Sequence, residues 1–117
     1  MARRNPTNPV GVLYIAFDQP GTVNPERVFC QELAQNLGIP IVREFARPAD
    51  LDDGTPILEE MFDYLAANES VTHAFVWAHM HLARSRLDFM PRGLIGDLLV
   101  HQKLADLGIT VACPDPF

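Results

Sequence analysis

From Val10 to Phe17 the chain is apolar at every position except Gly11. A run of that length without polar alternation predicts a strand covered on both faces. Turn residues follow, and Asn24-Pro25-Glu26 then offers a capping side chain, a proline at the first helical position and an acid in the first turn. Phe29, Leu33 and Leu37 recur at helical spacing as the expected buried stripe, and Gly38 ends that helix. A second strand is expected from Ile39 to Phe45. Arg47 to Gly54, with Pro48 and the acids Asp50, Asp52 and Asp53, predicts an exposed loop. Thr55-Pro56 opens a second helix, in which Ile57, Leu58, Met61, Phe62 and Leu65 fit a period of about 3.6 residues. Val71 to Trp77 is the third strand. Pro91 precedes a helix carrying Leu94, Ile95, Leu98, Leu99 and Leu107, weakened at its start by Gly93 and Gly96. Gly108 closes it before a last strand, Ile109 to Ala112.

Strands alternating with helices imply an α/β fold, three layers in the order α/β/α around a mostly parallel sheet of about four or five strands. In such sheets ligands gather outside the carboxyl ends of the strands, so Asp18 and the segment from His79 to Arg84 are expected at one crevice. With 117 residues, 48% of them hydrophobic, the chain suits one domain over residues 10–117, preceded by a loose arm over residues 1–9.

Charge narrows the choice of partners. Nine basic residues stand against fifteen acidic ones, for a net charge of −6, and Lys103 is the only lysine. DNA binding normally rests on several cations gripping phosphates, so this domain alone is not expected to bind DNA. No apolar stretch approaches the roughly 18 residues of a membrane span and no leader pattern is visible, which implies a soluble cytoplasmic protein. Cys30 and Cys113 read as two buried thiols, because neither a disulfide framework nor metal-ligand spacing is present. No cofactor is implied.

The first strand ends Tyr14-Ile15-Ala16-Phe17-Asp18, Pro56 and Leu58 flank the second helix start, and the third strand leads from Trp77 through Leu82 to Arg84. Tyr14, Pro56, Leu58, Trp77, Leu82 and Arg84, spread over nearly the whole chain, resemble the catalytic domain of the resolvase/invertase family of serine recombinases. The resemblance implies a resolvase-like fold. In that family a serine hydroxyl attacks a DNA phosphodiester while several arginines stabilise the charge that develops on the phosphoryl oxygens. At the matching positions this chain has Asp18 for the serine, Ala16 for the first arginine, Thr55 for the arginine before the proline, Met80 for the aspartate and His81 for the next arginine. Only Arg84 remains of the arginine set.

Losing one such charged contact commonly costs about 3 to 4 kcal/mol, and here the nucleophile is gone as well. The expectation is a noncatalytic resolvase-like domain that works through a protein partner or as a homodimer. Two other readings stay open. Asp18, with Arg84, is a candidate for phosphoryl transfer, against the simpler reading that Asp18 caps the turn after it or pairs with Arg84. His79 and His81 form a His-x-His pair that, with His73, His101 or Asp18, would suit a metal. Arg84, Arg86 and Arg92 form the densest basic region, and Phe89, Met90 and Phe117 are candidates for exposed apolar contacts. Domains of this family are normally followed by a dimerising helix and a DNA-reading domain, whereas here Pro114 to Phe117 follow the last strand, so the chain is expected to be either a minimal protein or a fragment.

Overall fold

The computed structural model describes residues 8–19, 21, 23–48, 50, 51, 53–78, 81–83 and 98–114. In chain order the elements are β1 (Val10–Asp18), α1 (Pro25–Leu37), β2 (Ile41–Pro48), α2 (Thr55–Ala67), β3 (Val71–Val76), α3 (Leu98–Asp106) and β4 (Thr110–Ala112). The four strands form one sheet in the order β2-β1-β3-β4, parallel at every pairing. The expected α/β architecture with helices on both faces is therefore present.

Strand order determines where the helices go. From β1 the chain steps outward to β2, then returns past β1 to β3 and continues to β4. Right-handed crossovers in opposite directions must lie on opposite faces of the sheet. Accordingly Cys30 and Ala34 of α1 pack with Leu13, Ile15 and Phe75 on one face. On the other face, Leu58, Met61, Phe62 and Leu65 of α2 and Val100 and Leu104 of α3 pack with Val12, Tyr14, Ala16 and Val76. The apolar run of β1 is thus buried on both sides. The direction of travel reverses at β1, which makes the carboxyl ends of β1 and β3 the topological switch point of the sheet.

Local chemistry explains the boundaries. Asn24 Oδ1 accepts a hydrogen bond from the Glu26 amide at 2.9 Å, and its Nδ2 donates to Phe17 O at 3.0 Å, so the cap also fastens α1 to the end of β1. Gly38 adopts φ +71°, the left-handed conformation that closes α1. Asp53 Oδ1 accepts from the Thr55 amide at 2.9 Å at the start of α2.

Three expectations need correction. β2 begins at Ile41 rather than Ile39, because Pro40 has no amide to give a ladder, and it continues past Phe45 to Pro48, where the edge position tolerates a proline. The α1 stripe of Phe29, Leu33 and Leu37 is not the buried one: Phe29 is 46% and Leu37 51% exposed, while Cys30 and Ala34 are buried and Leu33 is partly so. Small residues at 30 and 34 let the helix sit close to the sheet, and this rotation carries Phe29 outward against Trp77, the ring centroids 5.5 Å apart. Thirdly, Arg47 is not in an exposed loop but is fully buried within β2. Leu94, Ile95 and the other residues before Leu98 expected in the third helix lie outside the described residues.

Gly11 is required by close packing. A Cβ there would lie 2.5 Å from Cε2 of the buried Phe75. Gly11→Ala is expected to destabilise the domain by about 1 to 3 kcal/mol, measured by urea unfolding, since neither the central strand nor the ring can move away cheaply. Burial pushes the Cys30 thiol from its ordinary 9.0 up to about 12, with smaller contributions from Glu26 and Cys113. An unfolded chain sheds that proton first, so stability should fall as pH rises above about 9, and Cys30→Ala should remove part of that slope in urea midpoints. A disulfide exchange reagent should label half-buried Cys113 quickly and Cys30 slowly in the native protein, and both quickly in denaturant.

Candidate functional site

Asp18, the last residue of β1, reaches the switch point. Its Oδ1 lies 3.3 Å from Nη2 of Arg27 in the first turn of α1, and the same guanidinium donates through Nε to Glu44 of β2. One cation therefore bridges two carboxylates, both partly exposed. The Arg27 pKa is raised, first by the hydrogen bond to Glu44 and then by charge attraction to Glu44 and Asp18. The partner of Asp18 among the described residues is thus Arg27, while Arg84, the other partner expected from sequence, lies outside the described residues. A basic residue in the first turn of a helix faces an unfavourable dipole. That misfit was the available signal that Arg27 has carboxylates beside it.

The neighbouring residue, Glu26, engages His81. Glu26 Oε1 and His81 Nδ1 approach to 3.2 Å, with both side chains mostly buried. The ring of Phe17 meets the His81 ring edge-on at a centroid separation of 5.3 Å. Successive residues at the start of α1 therefore hold the end of β1 and the segment after β3.

Arg47 is the functional-looking residue that periodicity did not reveal. It is fully buried. Its Nε donates to Leu51 O at 2.9 Å and its Nη1 to Ala83 O at 3.2 Å, joining the end of β2 to the segment after β3. Gly54 makes the room, since a Cβ there would sit 2.9 Å from Nη1. Beside it the buried Tyr14 phenol is raised above its ordinary pKa by desolvation, with Arg47 opposing and Glu26 reinforcing the shift. The Arg47 guanidinium is near enough to oppose that shift. An arginine next to a proline and an acidic run carries the pattern of a loop. The signal that it is not one was the chance for β2 to extend beside the long β1.

Among the other positions singled out from sequence, Ala16 is buried beneath α2 and Thr55 forms the first residue of that helix. His73 lies in β3, before its carboxyl end, with Nδ1 2.7 Å from Thr72 Oγ1, and burial lowers its pKa. His101 belongs to α3. Among the described residues no three His, Cys, Asp or Glu side chains converge as a metal site. His79, Met80, Arg84, Arg86, Arg92, Phe89, Met90 and Phe117 lie outside the described residues.

These contacts differ sharply in worth. Arg47→Met should cost roughly 2 to 4 kcal/mol in urea unfolding, because the buried carbonyl of Ala83 and the part-buried one of Leu51 lose charged donors. Asp18→Asn should cost less than about 1 kcal/mol, as expected for a partly exposed ion pair.

No family model matches the chain, nor does any curated protein or any solved structure.

Proposed function

We propose that this chain is a noncatalytic, resolvase-like α/β domain of the cytoplasm that works through protein contacts, with a second copy or another protein. The observation that carries this reading is the Arg27 bridge between Asp18 and Glu44. Phosphoserine chemistry at the end of the first strand needs a hydroxyl nucleophile surrounded by cations left free for the phosphate. In its seat is a carboxylate, and the cation beside it is shared with a second carboxylate. Arg47 offers no replacement, because its guanidinium is buried and donates to backbone carbonyls. With a net charge of −6, an incoming phosphate would also meet an unfavourable overall field.

Contact function has its own support. Val23 is 85%, Phe29 46%, Leu37 51% and Leu99 66% exposed. Exposed apolar side chains of this size are available for a partner to cover. No helix among the described residues is long and apolar enough to cross a membrane.

The competing reading is phosphoryl transfer through Asp18. Incubating the protein with supercoiled DNA, and separately with acetyl phosphate and Mg²⁺, followed by intact mass measurement, distinguishes the two. The unmodified mass and an intact plasmid are expected. A covalent adduct that disappears in Asp18→Asn would overturn the noncatalytic reading.

A further inference from the structure

Leu99 stands near the start of α3 with 66% of its surface exposed. It borders a cavity of about 160 Å³ between α2 and α3, walled by Leu58, Phe62 and Val100. The cavity is half open to solvent, and its volume is comparable with a space of roughly 150 Å³ that accommodates one large hydrocarbon group. A protruding aliphatic side chain and a hole of matching size therefore lie side by side on one surface. Among the described residues the rim of the cavity carries one acid, Glu59 of α2, and one base, Lys103 of α3. Lys103 is the only lysine in the chain, and its Nζ sits 4.8 Å from the centroid of the Phe62 ring.

A twofold contact uses the same patch on both subunits, so the patch must complement itself. We propose that the α2/α3 groove is a homodimer interface, in which Leu99 of each copy fills the cavity of the other and Lys103 of each copy faces Glu59 of the other. This rests on the proposed contact function and gives it a surface and a partner, a second copy of this chain. The knob, the hole and both charges all belong to one face, which is what self-recognition requires and what a foreign partner would not. A larger groove of about 580 Å³ runs between α1 and the start of β2, but among the described residues Glu32 is its single charged lining residue, with no cation beside it for a twofold mate to meet.

Sedimentation velocity over micromolar to submillimolar concentrations tests the interface. The unaltered chain is expected to show a monomer–dimer equilibrium. Leu99→Asp should raise the dissociation constant at least about tenfold while leaving circular dichroism and the melting temperature unchanged, because Leu99 is exposed in the monomer. Glu59→Lys and Lys103→Glu should each dimerise poorly alone yet associate when mixed in equal amounts, since every cross-interface pair then joins unlike charges. A chain that stays monomeric over the whole range would overturn the proposal. So would a dimer indifferent to Leu99→Asp, or charge variants that do not rescue each other; these two results would assign association to another face. None of these outcomes decides the chemistry at Asp18, and an adduct at Asp18 with dimerisation intact would remove the noncatalytic reading while leaving this interface standing.

Discussion

The central constraint on this domain is that β1 must be covered on both faces. Val12, Tyr14 and Ala16 point to one layer, Leu13 and Ile15 to the other, and all of them are buried. A single layer of helices would leave half of that hydrocarbon in water. Each buried Val, Leu or Ile side chain is worth about 1.5 to 3 kcal/mol, so the two-sided cover is among the largest favourable terms in the fold. It also dictates topology, because right-handed crossovers to β2 on one side and to β3 on the other are what place α1 and α2 on opposite faces. The switch point above β1, where the candidate site lies, follows from the same requirement.

Around that switch point the charges are held by neighbouring chain segments. Arg27 ties Asp18 and Glu44 together at the surface, Glu26 meets His81, and Arg47 reaches from β2 to the carbonyls of Leu51 and Ala83. Surface pairs of the first kind contribute little to stability. The buried arginine is different, because a guanidinium taken from water is tolerable only where acceptors replace the solvent. Its hydrogen bonds bind the carboxyl end of β2 to the segment after β3, a connection that no backbone ladder makes. The crest is therefore braced by polar contacts above a hydrocarbon core, and among the described residues its two arginines, Arg27 and Arg47, are engaged by carboxylates and carbonyls.

Much of the architecture was legible in the chain. The unbroken apolar run of β1, the Asn24-Pro25-Glu26 start, the Gly38 stop and the helical period from Leu58 to Leu65 each depend on interactions within a few residues or on burial that leaves a compositional mark. Local physics of that kind survives translation into sequence pattern. The buried face of α1 was less legible: Phe29 and Leu37 have the right spacing, yet closeness of approach favoured Cys30 and Ala34. That choice depends on the distance from helix to sheet, which no spacing rule contains.

Sequence by itself determined the alternation of strands and helices, the two-sided burial of β1 and the absence of a serine at position 18. Tertiary structure alone decided which charges meet, because Asp18, Arg27 and Glu44 come from a strand, a helix and a neighbouring strand and are joined only by the parallel register of β1 with β2. It likewise decided that Arg47 is interior, since the acceptors that make its burial tolerable include Ala83 O, 36 residues further along the chain. Hydrophobic periodicity is local and can be read in one dimension, whereas the neutralisation of a charge depends on what the fold brings beside it.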